Sequence, residues 1–389
     1  MSLPLSVAQT DVWRAQRLSP ENAMYNVGGY QEIFGAFDRG LFEAALRQAI
    51  GEMDTHNSRF VDTPDGPRQI FDSNTEFKIP FMDLSREADA RATAIAWMQS
   101  AMDEPFDLEN GPLFRFALIK IADDRSFWFL VFHHIITDLF GTALLFPRVA
   151  GLYNTGVDGQ ERPFEQTSWL DFLNDEEEYR NSARCKRDRD YWRDTLRGHS
   201  PAVTLSGKPP AWPGPTIESR GKISRSLLVE LERLGAAHQT SLPTVLFAMT
   251  AAYLSRMTGA GDVILGMPVT GRTSGKLRRV PGFLANVVPL RLSVDADASI
   301  GNLVQQAGIR TREALRHQRY WASALRADLN LSAADPNIYG TVINFVSNDS
   351  TMEFAGGQSA RAVAGRSRHV DCARLPAVLL PCDSADRGG

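Results

Sequence analysis

The stretch from Phe127 to Gly141, FWFLVFHHIITDLFG, constrains this chain more than any other. Phe127 through Phe132 are all aromatic or branched apolar residues. A strand points successive side chains to opposite faces, so an apolar run without alternation predicts a strand buried on both faces. PLFRFALIKI (Pro112 to Ile121) precedes it across the short polar loop ADDRS, and the two predict an antiparallel pair. The buried strand, read here as Phe127 to Ile136, then meets His133, His134 and Asp138. If it stays regular, one histidine faces in and the other away, while Asp138 caps the next helix or turns back to hold the loop.

The same periodicity arguments extend along the chain. Helices are predicted from Ser6, from Asp38 through Phe42, Ala45, Leu46 and Ile50, over roughly 87–102, and from Asp138 to Tyr153. They interleave with a strand over Met24 to Gly35 and a hairpin at Asp65-Gly66, a pattern that buries a mixed sheet under helices and closes near residue 165. Residues 166–220 read as a charged connecting helix (Trp169 to Leu196) and a Pro-rich linker. Residues 221–350 repeat the style of the first part, with strands at Gly221 to Ser226, Val263 to Val269, Val287 to Val294 and Thr341 to Ser347 among three helices. The expectation is an α/β chain, an α+β sandwich of two similar lobes with a cleft between them; 389 residues suit two such lobes. From about Ala362 neither period continues, so residues 351–389 read as an atypical ending, frame-shifted or disordered.

Charge narrows the partners. A formal net charge of −4 offers nothing to a nucleic acid or an anionic membrane, and no apolar run is long enough for a bilayer span, which sets the cytoplasm as the expected location. Cys185, Cys372 and Cys382 fit neither a metal spacing nor a disulfide framework. Adjacent histidines on opposite faces are poorly placed to share a zinc ion. A neutral imidazole at the end of a buried strand suits proton acceptance from a nucleophile, and equally an ordinary packed histidine.

HHIITDLFG resembles the HHxxxDG signature of the condensation domains of nonribosomal peptide synthetases, relatives of chloramphenicol acetyltransferase. LSVAQTDVW (Leu5 to Trp13), DTHNSRF (Asp54 to Phe60), SWLDF (Ser168 to Phe172), GMPVTGR (Gly266 to Arg272), PGFLANVVPLR (Pro281 to Arg291) and HQRY (His317 to Tyr320) follow in that family's order. Within it the chain is most similar to the N-terminal condensation domain of enterobactin-type siderophore synthetases. The resemblance implies two acetyltransferase-like lobes in a V with a tunnel between them. Donor and acceptor carrier proteins reach into it with 4'-phosphopantetheine arms, no cofactor is bound directly, and an adenylation domain normally lies adjacent. It implies an amide bond formed between a donor acyl thioester and a tethered acceptor amine.

On this resemblance the catalytic set is His134, His133 and Asp138, with His134 meeting the amine and the other two shaping the turn. Asn286, Asn344 and Gly141 are channel positions, although for both asparagines the residues alone speak equally for an amide satisfying backbone groups. Gly266, Pro268 and Gly271 form turns near the lobe junction; Gln9 and Trp13 pack. Three departures stand out. Leu139 replaces the motif glycine and is expected to narrow the tunnel. Asn57 stands where the family places an arginine against the motif aspartate, which leaves Asp138 less firmly held unless Arg59 substitutes. The ending leaves the second lobe incomplete. Two rival readings follow: a truncated, non-catalytic module that only docks carriers, and an acyl-coenzyme A dependent acyltransferase.

Overall fold

The computed structural model describes residues 1–35, 37–72, 75–207, 221–331, 337–347, 351–354, 358–363 and 377–382. In chain order the first lobe contains β1 (Ser2–Pro4), α1 (Val7–Leu18), β2 (Asn26–Phe34), α2 (Arg39–Glu52), β3 (Ser58–Val61), β4 (Arg68–Phe71), β5 (Phe81–Asp83), α3 (Ala90–Asp103), β6 (Phe114–Ala122), β7 (Arg125–His133) and α4 (Leu139–Asp158). Two helices, α5 (Trp169–Asn181) and α6 (Ala183–Thr195), lead to the second lobe. There follow α7 (Arg225–Ala237), α8 (Leu242–Thr258), β8 (Asp262–Val269), β9 (Asn286–Ser293), α9 (Ile300–Arg316), α10 (Ala322–Asp328), β10 (Thr341–Ser347), β11 (Thr351–Phe354), β12 (Gln358–Val363) and β13 (Ala377–Cys382).

The apolar run behaves as its composition requires. β7 is an inner strand of a sheet ordered β11-β12-β2-β7-β6-β5, antiparallel to both β2 and β6. Trp128 meets Phe42 of α2 and Phe146 of α4 on one face, while Phe129 meets Trp97 of α3 on the other. Helices therefore cover both sides, and Phe127 through Phe132 are all buried. Complete burial of each such side chain is worth about 1.5–3 kcal/mol, which makes β7 the anchor of the lobe.

Four expectations are corrected. β7 stops at His133, three residues early, because a turn takes over at His134. No strand forms at 221–224; Ser224 instead caps α7, its hydroxyl accepting from Leu227 N–H. The charged connector is two helices broken at Ser182, and Trp192 and Leu196 of the second half are buried in the second-lobe core. The ending is not without regular structure. β12 pairs antiparallel with β2 of the first lobe (Ala360 opposite Ile33), β11 pairs with β12, and Phe354 enters the first-lobe core. β13 then pairs in parallel with β10, so the second sheet, ordered β13-β10-β8-β9, does not end at β10. Edge pairing uses backbone groups, which side-chain periodicity does not reveal. Cys372 lies outside the described residues.

Candidate active site at the lobe seam

The end of β7 delivers two histidines into different surroundings. His133 is 1% exposed, and both ring nitrogens are engaged: Nδ1 accepts from Ile135 N–H at 3.2 Å, leaving Nε2–H to donate to Gln16 Oε1 at 3.2 Å. Burial, with His134 adding to it, holds its pKa down to about 3. A neutral imidazole with both ring nitrogens engaged braces the turn, the part expected of His133. Its partner Gln16 comes from α1.

His134 is half-buried, and its backbone N–H donates to Tyr25 O at 2.7 Å. Its ring lies 4.5 Å, centroid to centroid, from Phe283 of the second lobe. Nδ1–H donates to the Thr137 carbonyl at 2.9 Å, which puts the lone pair on Nε2. Burial lowers its pKa, against the opposing pull of Asp138 and nearby backbone carbonyls, so the ring is neutral at neutral pH. A neutral imidazole with a free lone pair on Nε2 is chemically able to accept a proton.

Asp138 caps α4, Oδ1 accepting from Gly141 N–H at 2.7 Å. Its Oδ2 accepts from Arg272 Nη1 at 2.7 Å and from the N–H groups of Leu284 and Ala285, each at 2.9 Å. Burial raises its pKa, but Arg272 and these donors more than offset that and hold the carboxyl below its usual value. The arginine partner thus comes from GMPVTGR of the second lobe. Asn57 donates instead to the carbonyls of Ile50 and Met53, and Arg59 pairs with Asp72, so neither holds Asp138. The expectation that Asp138 is loosely held is overturned: the pair is buried and spans the seam. Arg272 also donates to the Val280 and Gly282 carbonyls, which fixes the loop that carries Phe283.

The channel candidates separate. Asn286 donates to the carbonyls of Gln318 and Tyr320 and accepts from Val287 and Ala322, so its amide serves backbone groups and does not line a channel. Asn344 sits half-buried on β10. Gly141 is packed rather than open: a Cβ there would lie 2.2 Å from Pro281 O and 2.6 Å from Thr137 Oγ1. Gly141→Ala is therefore expected to destabilise by about 1–3 kcal/mol through overpacking at the seam, read as a lower denaturant midpoint at unchanged slope. Leu139 is 50% exposed on the first turn of α4, so the branched residue does not press on the motif backbone. A small cavity of about 20 Å³ lies beside α5, lined by Glu176, Arg319 and Trp321 among others; His134 is not in its wall.

Two lobes of mixed sheet and helix, joined where a neutral histidine of an HxxxD turn faces the other lobe, define the acetyltransferase-like class of acyl-transfer folds. The condensation-domain family model matches residues 1–368. The chain belongs to the condensation-domain family. It is 34% identical over 353 residues to a dimodular nonribosomal peptide synthase of Bacillus subtilis, covering 90% of this chain and 15% of that protein. It is 27% identical to enterobactin synthase component F of Escherichia coli, covering 92% of this chain and 28% of that one. The chain thus spans under a third of the length of these relatives. Among solved structures, a variant of the starter condensation domain of rhizomide synthetase in complex with C8-CoA superposes with a TM-score of 0.85 at 34% identity, over 97% of this chain and 86% of that one. The first condensation domain of the calcium-dependent antibiotic synthetase, with a substrate analogue, gives 0.86 at 29%, over 98% and 88%.

Among the described residues no helix is long and apolar enough to cross a membrane.

Proposed function

We propose that this domain forms an amide between a donor acyl thioester and the amine of an acceptor aminoacyl group, both presented on the phosphopantetheine arms of carrier proteins in the cytoplasm. The observation that carries the reading is the tautomer of His134: Thr137 O takes Nδ1–H, and Nε2 is left as an acceptor at the seam. The acceptor nitrogen attacks the thioester carbon, the C–S bond breaks, the thiolate leaves, and the nitrogen's surplus proton goes to Nε2. The buried Asp138–Arg272 pair keeps that ring opposite the second-lobe loop. Such an arrangement serves catalysis, whereas a module that only docks carriers has no use for it. The starter-domain neighbour in complex with C8-CoA supports an acyl rather than a peptidyl donor, and it makes delivery as a coenzyme A thioester the second reading.

The test supplies acyl-loaded donor carrier and aminoacyl-loaded acceptor carrier and follows the acceptor by intact mass. The expected result is an acceptor heavier by the acyl group, formed from carrier-bound donor in preference to the coenzyme A thioester. Equal or faster use of the coenzyme A thioester favours the second reading. Carrier binding without product from either donor overturns both.

A further inference from the structure

The segment from His317 to Trp321 and the helices α5 and α6 meet in a dense polar cluster. His317 Nδ1 donates to Asp188, Arg319 to Asp175, and Trp321 Nε1–H to Glu176 Oε1 at 3.1 Å. Glu176 differs from the other acids here, because its second oxygen reaches the opposite lobe: Oε2 accepts Val7 N–H at 3.1 Å, at the first turn of α1. That amide is an orphan donor of a helix start, which the carboxyl oxygen satisfies. The Trp321 backbone opens α10 in the second lobe while its ring packs against the first-lobe core.

We infer that Glu176 is a positioning residue for the reaction proposed above, its carboxyl group clasping α1 of the first lobe to Trp321 of the second and so setting how closely the lobes meet around His134. α1 also carries Gln16, the partner of His133, so the clasp acts on the helix that braces the catalytic turn.

The clasp carries a titration. Glu176 is 6% exposed. Burial pushes its pKa up from 4.5 to about 7, even though Val7 N–H, Trp321 N–H and the charges of Arg180 and Arg319 pull it down. Arg180 of α5 and Arg319 of the turn after α9 act on it by charge, and Tyr179 shares the cavity wall, but Arg319 is already paired with Asp175. From α1 come Asp11 and Arg14; Asp11, bonded to Ser323, is raised by burial in the same sense. The residues of the 271–284 segment at the cavity are Gly271, Leu277 and Leu284, none of them charged. Separation of the lobes hydrates the carboxylate and returns it to its ordinary value. Closure is therefore fully favoured below about 4.5 and progressively lost as pH rises through about 7.

The test is small-angle scattering of the full chain from about pH 5.5 to about pH 8.5, read with the indole N–H resonance of Trp321. In the parent protein the radius of gyration is expected to grow with pH and the Trp321 signal to shift with a midpoint near 7, as the closed-to-open ratio falls by at least about tenfold. Glu176→Gln, neutral at every pH and able to accept only one of the two N–H groups, is expected to lose that midpoint whatever its compactness. A flat parent curve, or a Gln variant that tracks the parent, overturns the inference; the parent curve decides even if the variant does not fold. Neither measurement needs turnover, so a negative carrier assay with a positive scattering result removes the proposed reaction and leaves the clasp standing. Where turnover is seen, Glu176→Gln flattens the kcat profile near pH 7 and leaves the KM for each carrier unchanged.

Discussion

His134→Ala is expected to lower amide formation between loaded carriers by roughly 10²–10⁴-fold while leaving the fold intact, the range associated with a positioned general base. The substitution removes a half-buried ring whose Nδ1 bonds a carbonyl of its own turn, so circular dichroism and melting temperature should barely change. The loss should stop short of zero. Holding two tethered reactants in register supplies about 7–11 kcal/mol with no proton transfer, and that contribution survives the mutation. A fall of less than about tenfold would show that juxtaposition alone carries the reaction and that His134 only orients the amine. The pH profile separates the cases further. Because burial lowers the His134 pKa, the base stays neutral to more acidic pH than a free imidazole, so the acid limb of kcat in the parent lies below pH 6.5. In His134→Ala that limb should vanish.

The sequence shows most of the first lobe and much less of the seam. An unbroken apolar run can only be a strand covered twice, and Trp128 and Phe129 confirm it by facing different helices. The HHxxxD turn is equally legible, since its capping aspartate is a local interaction: Asp138 and Gly141 are three residues apart. Arg272 is not local. It lies 134 residues from Asp138, in a loop with no periodicity, and only its place in GMPVTGR singles it out. Looking for the partner by motif correspondence led to Asn57 and Arg59, which are near in sequence to one another but occupied with local carbonyls and with Asp72. Glu176 was hidden for a related reason: in a helix written NDEEEY it is one acid among several, and only folding shows that Asp175 and Glu176 have separate partners. The ending is not legible in the sequence because the pairing of β12 with β2 is made by backbone groups, which leave no period in the side chains.

Arg272→Met tests the seam directly and is expected to be the most destabilising single change in the site. Breaking a buried pair by removing one partner costs about 3–5 kcal/mol, because the remaining charge stays buried without its counter-ion. Here the carboxylate retains three N–H donors from Gly141, Leu284 and Ala285, which places the loss toward the lower end; the carbonyls of Val280 and Gly282 lose their donor as well. The sign with pH is fixed by the depressed Asp138 pKa. Its contribution is present above the ordinary carboxylate value of 3.8 and is lost as pH falls through the depressed one. Without Arg272 the Asp138 pKa rises, so less stability is lost on acidification and the variant's deficit relative to the parent should narrow as pH falls. Asp138→Asn with Arg272→Met closes a double-mutant cycle, and a coupling energy of at least about 1 kcal/mol is expected for groups in direct contact. Additive effects would mean that the two side chains hold their own lobes independently. A coupled loss accompanied by a fall in kcat would show that the same buried pair that joins the lobes also keeps the His134 ring opposite Phe283.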